Sequence, residues 1–168
     1  MDIRESIFDG DPYPELRFVT GLYPLIFQAV VLKSHGWTTL ADLKGKSFSP
    51  GSPGSGDVAA WKEVFEGGFN MSTDDMIWKP LSHNERSMAF KDRVLDCVGY
   101  ETACPAGSIL EATAQNPGTI LSIGGKNRDN LIAKYSWYDP WVIPAGTYNG
   151  QDEDVETIIQ GGGIIADA

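Results

Sequence analysis

The chain has 168 residues, of which 42% are hydrophobic and 21% charged, as in a globular protein of one domain or two small lobes. Its formal net charge of −10 argues against nucleic acid or an anionic membrane surface as a partner, because basic patches bind both. No apolar run approaches the roughly 20 residues of a membrane-spanning helix. The acidic start of the chain lacks the apolar segment of a signal peptide, so we expect neither feature.

Residues 1–15 are polar and predict an extended lead-in, and residues 16–33 predict two strands or one long bent strand. Between about residues 38 and 137, segments with helical spacing then alternate with short apolar runs. The predicted helices are residues 39–45, 57–65, 82–90, 106–115 and 128–137. The predicted strands are residues 46–49, 76–81, 94–100 and 119–123. Such alternation is typical of a parallel sheet covered by helices, so the predicted fold class is α/β with a parallel, Rossmann-like sheet.

Beyond residue 138 the pattern changes. Pro140 and Pro144 predict irregular structure, because proline cannot donate a backbone hydrogen bond to a strand partner. Residues 155–165 predict a strand that a run of three glycines interrupts. This final part therefore does not continue the helix and strand alternation.

The loop of residues 49–56 contains three glycines, two prolines and three serines, and a predicted helix follows it at Asp57. Glycine permits close approach of the backbone to a ligand, and the free N–H groups of a helix start can bind a carboxylate. We interpret this loop as the floor of a ligand site; the alternative is a purely structural turn. The candidate ligand-binding residues of the loop are Ser52, Gly54, Ser55 and Gly56.

Ligands of parallel α/β sheets bind outside the carboxyl ends of the strands. Three loops leave predicted strand ends, at residues 50–56, 82–85 and 100–105, and we expect them to share one rim. The candidates from the third loop are Tyr100, Ala103 and Pro105; a plain strand-to-helix turn is the alternative there.

Two further candidates have strong structural alternatives. Ser82 could contact a ligand from the second loop, but Ser82 and Glu85 also have the spacing of a helix capping box. Tyr23 could pack against a ligand, but an aromatic residue of the core is the favoured alternative. Both stay candidates at this point.

The sequence carries no recognisable catalytic, metal or cofactor site. His35 and His83 have no partner at metal-ligand spacing, and residues 151–154 lack the pattern of a calcium loop. Cys97 and Cys104 are the only cysteines, and two unpaired thiols are favoured over a disulfide. We therefore expect no cofactor, no metal and no catalytic residue; the alternative is an α/β enzyme with Cys104 as its nucleophile.

Four stretches, in this order, resemble the TAXI-family solute receptors of TRAP transporters, which are bilobal periplasmic binding proteins of type II topology. They are residues 22–24, residues 40–46 with 51–56, residues 96–105, and residues 131–135 with 143–155. The resemblance covers about residues 16–160. It implies a receptor that captures a small carboxylate or an amino acid such as glutamate in the periplasm and hands it to a TRAP-type membrane permease.

The same resemblance implies a division of the chain. Residues 1–38 would be a lead-in and crossover strands of the first lobe, residues 39–140 the second lobe, and residues 141–168 the return crossover and a strand of the first lobe. It further implies that the family's signal peptide, the start of its first lobe and its last segment are absent. A truncated lobe without a binding function of its own is therefore a further alternative.

Two positions differ from the family's pattern. The family usually has threonine or another neutral residue where this chain has Asp57, and glycine where it has Ala103. An aspartate in the first turn of a helix stabilises that helix, but its charge would repel a bound carboxylate.

Overall fold

The computed structural model describes residues 15–167, and within them the chain forms nine strands and four α-helices. The strands are β1 (Leu16–Gly21), β2 (Leu25–Leu32), β3 (Ser47–Ser49), β4 (Ile77–Trp78), β5 (Cys97–Thr102), β6 (Gly118–Leu121), β7 (Tyr138–Ile143), β8 (Val155–Gln160) and β9 (Gly163–Asp167). The helices are α1 (Gly56–Gly68), α2 (His83–Lys91), α3 (Gly107–Thr113) and α4 (Gly125–Lys134). The predicted lead-in at residues 1–15 lies outside this description except for its last residue.

The main sheet confirms the α/β class and has the strand order β4-β3-β5-β2-β8-β7, with β6 also paired to β2. β3 runs parallel to both β4 and β5, whereas β2 is antiparallel to β5, β6 and β8. The four strands that alternate with helices therefore share one direction, as predicted. β2 runs in the opposite direction between β5 and β6, so the whole sheet is mixed.

β2 forms the centre of the sheet. Residues 16–33 form two strands, in agreement with the first of the two predicted arrangements, and the six inner residues of β2 are all buried. Its nearly continuous apolar sequence fits a strand covered on both faces. The one polar residue within it is Gln28, which is fully buried.

The two faces of the sheet carry separate apolar cores. On one face, Trp61 of α1 packs edge-on against Phe27 and Phe48, with ring centroids 5.2 and 5.3 Å apart. Gly99 of β5 lies directly beneath, since a Cβ there would come within 2.6 Å of the Trp61 indole and 2.7 Å of Phe48. On the other face, buried residues of α2 and α3 pack against the sheet, among them Phe90 and Ile109. Each buried aromatic or aliphatic side chain contributes about 1.5–3 kcal/mol to folding.

The prediction of irregular structure at Pro140 is wrong. β7 includes Pro140 and pairs with β8 over its full length, from Tyr138 opposite Gln160 to Ile143 opposite Val155. β7 is the last strand in the sheet order, so its outer edge needs no hydrogen-bond partner. Proline is tolerated at such an edge, where its missing N–H costs no bond of the ladder.

β1 and β9 form a separate two-stranded antiparallel ribbon. It exposes apolar side chains, with Phe18 70% and Ile165 47% accessible. Tyr23 follows β1 and is 59% exposed, so its interpretation as a core aromatic is wrong. The division into lobes at residues 38 and 140 stays a prediction. Among residues 15–167, no helix has both the length and the apolar character needed to cross a membrane.

Candidate functional site

Residues 50–55 connect β3 to α1 at the carboxyl end of the parallel strands. The Leu81 N–H donates to the carbonyl of Gly51 at 2.8 Å, which fixes this loop against the segment that leads into α2. Gly51 has a φ of +152°, and a Cβ there would lie 2.8 Å from the Cβ of Asp57. Glycine is therefore required at position 51 for both conformation and space.

Ser55 occupies the position just before α1, yet its side chain does not cap the helix. Its Oγ is buried and has no hydrogen-bond partner within residues 15–167. Side-chain oxygens at this position usually accept a hydrogen bond from the first helical turn. A buried hydroxyl group thus remains available beside the N-terminus of α1.

Arg86 of α2 connects the three loops that sequence analysis placed on one rim. Only 6% exposed, it donates from Nη1 to the carbonyl of Pro50 at 3.1 Å. The same nitrogen lies 3.8 Å from Oδ2 of Asp57. Its guanidinium carbon lies 4.7 Å from the ring centroid of Tyr100, in a cation–π contact. Through this one side chain the first loop, α2 and the end of β5 are brought together.

Asp57 is less repulsive to an anion than its place in the first turn of α1 implies. Burial raises the pKa of the Asp57 carboxyl, and the nearby Arg86 guanidinium only partly opposes this rise. The positive charge of Arg86 also offsets the carboxylate when it is ionised. The charge that the sequence places at the helix start therefore has a counter-charge in the fold.

Glu101 is the penultimate residue of β5 and pairs with Phe27 of β2. It faces α1, because residues two apart on a strand point to the same side and Gly99 faces Trp61 of α1. Burial raises the pKa of Glu101 well above its usual range, the charge of Asp57 raises it further, and that of Arg86 opposes the rise.

Buried polar atoms without partners concentrate around these residues. Native proteins pair nearly all buried polar groups, so a concentration of unpaired ones is an unusual feature of this part of the fold. Six buried side-chain atoms lack a hydrogen-bond partner in the described part of the chain, and all but Gln151 Oε1 belong to β3, β5 or the elements next to this rim. The five are Ser49 Oγ, Ser55 Oγ, Trp61 Nε1, Arg86 Nε and Glu101 Oε1.

A buried hydrogen-bond network holds the third loop in place. The Tyr148 hydroxyl accepts a bond from the Ala106 N–H at 2.9 Å and donates to Oε1 of Gln28. Nε2 of Gln28 in turn donates to the carbonyl of Ala103 at 3.3 Å. The single polar residue of β2 thus positions the loop that contains Ala103 and the cis peptide bond before Pro105.

The structure places the other candidate residues as follows. The Ser82 side chain accepts a hydrogen bond from the Glu85 N–H in the capping box of α2, and the Ser82 backbone N–H donates to Glu85 Oε2 at 2.9 Å, so the structural alternative is present. Tyr100 is buried beneath Arg86, and Tyr23 lies on the exposed segment after β1. The half-buried candidates are Ser52, Ser55 and Ala103, and the exposed candidates are Gly54, Gly56 and Pro105.

Sequence reasoning did not include Arg86 or Glu101 among the candidates. A glutamate directly after the apolar run of β5 was a usable signal, because strand ends form the rim of such sheets. Arg86 gave no comparable signal, since an arginine in a polar helix normally faces solvent.

Cys104 does not have the properties of a nucleophile. Cys97 and Cys104 are free thiols, as predicted. Burial raises the pKa of Cys104, whereas an activated cysteine needs a lowered pKa. Its nearest polar partner is the Tyr148 hydroxyl, at 3.6 Å from the sulfur. Within residues 15–167 no cluster of three or more His, Cys, Asp or Glu side chains is arranged to hold a metal ion.

The chain matches a known family over nearly its whole length. The family model described as the NMT1-like family covers residues 5–168. It is a family of periplasmic-binding-protein-like chains, and a solute-binding role is general to it. The family is one of binding proteins, in keeping with a chain that is not an enzyme.

Proposed function

The chain belongs to the NMT1-like family, and from that premise we propose that it is a receptor for a small carboxylate or amino acid, coupled to a TRAP-type transporter. The solute binds at the rim formed by residues 50–57, Arg86 and the end of β5. The receptor works in the periplasm and releases its solute unchanged to a membrane permease.

The observation that carries this proposal is the group of buried, unpartnered polar atoms of Ser49, Ser55, Arg86 and Glu101, which belong to the strands, loop and helix that form the rim. Three of these residues contribute a donor group or a hydroxyl, namely Ser49, Ser55 and Arg86. A carboxylate accepts several such hydrogen bonds at once. Hydrogen bonds supplied by the solute would replace the missing partners and recover the desolvation cost of these groups, which is about 1–3 kcal/mol each.

Charge also supports an acid as the solute. Although the whole chain is acidic, Arg86 is a buried cation at this rim, and Nη1 is 3.1 Å from the Pro50 carbonyl that opens the loop. The N–H groups at the start of α1 add a partial positive charge nearby. Together they favour one carboxylate of the solute despite the neighbouring Asp57.

Isothermal titration of the purified chain against a panel of small carboxylic and amino acids tests the proposal. We expect saturable binding of at least one member with no chemical change to it. Ser55→Ala should weaken that binding by about three- to tenfold, the value of one neutral hydrogen bond. It should leave the helix intact, because Ser55 makes no capping bond.

Ser34→Ala is the matched control, since Ser34 is exposed in the short 3₁₀ helix Lys33–His35 outside the rim and its replacement should not affect affinity. A well-folded sample that binds no member of the panel would count against a working receptor and for the truncated-lobe alternative. Turnover of any member would count against a receptor altogether. Coupling to a transporter further predicts that a TRAP-type permease gene lies beside the gene for this chain.

A further inference from the structure

Among the unpartnered groups of the rim, Glu101 is the one that a carboxylate solute cannot satisfy. Its Oε2 accepts a hydrogen bond from Nε2 of Gln160 at 3.1 Å. Its Oε1 is buried and has no hydrogen-bond partner in the described residues. A carboxylate oxygen only accepts hydrogen bonds, so a second carboxylate at this point would repel it and supply no proton.

The charges that face Glu101 leave the surroundings negative. From α1 the carboxyl groups of Asp57 and Glu63 act on it, and from α2 the guanidinium of Arg86 does. His83 of α2 acts on Asp57. When Glu101 is ionised, two further carboxyl groups and one guanidinium act on it, so a cation bound here would lower the electrostatic energy of the site.

We propose that Glu101 binds the ammonium group of the solute, which makes this chain a receptor for an amino acid and not for the corresponding oxo or hydroxy acid. This inference rests on the proposed function and names the solute class of the same site. An ammonium group supplies the donor that Oε1 lacks and the positive charge that the three carboxylates favour. The solute's carboxylate then contacts the Arg86 side of the rim.

A competing arrangement predicts the opposite preference. If Glu101 stayed protonated with solute bound, its O–H would donate to the oxo group of a 2-oxo acid. The raised pKa of Glu101 permits that form, so the two arrangements must be separated by experiment. The deciding property is the relative affinity for acids that differ only in that one group.

The test uses pairs of acids with the same carbon skeleton: glutamate with 2-oxoglutarate, alanine with pyruvate, and leucine with 4-methyl-2-oxopentanoate. In the best-bound pair we expect the amino acid to bind about 10- to 100-fold more tightly, as for one hydrogen bond to a charged group. Glu101→Gln should remove most of this preference, mainly by weakening the amino acid. Glu111→Gln is the control, because Glu111 is exposed on α3 and its substitution should leave the affinities for both acids unchanged.

A second measurement does not depend on the variant. Titration of the wild-type chain in two buffers of different ionisation enthalpy reports protons released on binding. The ammonium group should lower the pKa of Glu101, so at pH values above 4.5, the usual pKa of a glutamate, the amino acid should release more protons than its oxo partner.

Equal or tighter binding of the oxo acid, or an unchanged ratio in Glu101→Gln, overturns the role of Glu101 while the receptor function stands. Absence of binding by every acid in a folded sample overturns both.

Discussion

Replacing Arg86 with leucine tests whether this residue stabilises the rim through its charge. The substitution removes the hydrogen bond to the Pro50 carbonyl at 3.1 Å and the contact of the guanidinium with the Tyr100 ring. It also removes the cation beside Asp57. Leucine retains most of the apolar contact, so the change isolates the polar interactions.

The magnitude follows from these contacts. A hydrogen bond that involves a charged group contributes about 1.5–3 kcal/mol, and a desolvated cation–π contact up to about 2 kcal/mol. Part of this is offset, because Nε of Arg86 is buried without a partner and its removal relieves a desolvation cost. We therefore expect a net loss of about 2–4 kcal/mol in the free energy of unfolding, or a melting temperature lower by roughly 4–16 °C for a chain of this size.

Thermal unfolding followed by circular dichroism measures this change. The control is Arg93→Gln, because Arg93 is exposed and makes a side-chain hydrogen bond to Asn116 at the surface. Its melting temperature should stay within about 2 °C of wild type. An Arg86→Leu variant as stable as the wild-type chain would refute the reasoning, because it would show that the buried guanidinium is electrostatically neutral or unfavourable in the fold.

Three further predictions concern single groups. Glu101→Gln should raise the free energy of unfolding relative to wild type more at pH 7 than at pH 4. Burial raises the pKa of the folded Glu101 carboxyl, and its contribution to wild-type stability is lost as the pH rises from about 4.5 through that pKa. Thermal melting of both proteins at both pH values checks this, and a larger gain at pH 4 would contradict it. Gly99→Ala should lower the free energy of unfolding by about 1–3 kcal/mol, since its Cβ would lie 2.6 Å from the indole of α1, whereas Gly107→Ala should not lower it, because nothing lies within 4 Å. Tyr148→Phe should cost about 2–4 kcal/mol in urea unfolding, because the Ala106 N–H and a buried amide oxygen lose their partner; an unchanged midpoint would contradict the network.

The parts of the fold that were predicted correctly depend on short sequence patterns. The alternation of helices and strands, the loop before α1 and the capping box at Ser82 all follow from spacing and from residue types at fixed offsets. Pro140 was misjudged because its effect depends on whether the strand lies at an edge. Edge position is a property of the assembled sheet and is not encoded within β7 itself.

The residues of the candidate site were identified only in part, for the same reason. The loop of residues 50–55 carries its own signal in glycine and proline. Arg86 and Glu101 are charged residues whose burial depends on elements far away in the chain, namely the Pro50 carbonyl and the amide of Gln160. Patterns of hydrophobicity assign such residues to the surface. Tertiary contacts therefore decide the electrostatic part of the site.

The contact between Gly99 and Trp61 has an evolutionary consequence. The indole leaves no room for a methyl group on β5, and Phe48 closes the remaining side. A larger residue at position 99 is therefore destabilising unless the aromatic ring at position 61 becomes smaller. Among homologous chains the two positions should vary together, with glycine retained wherever tryptophan is present. Such covariation would show that the distance between α1 and the sheet is conserved among these proteins.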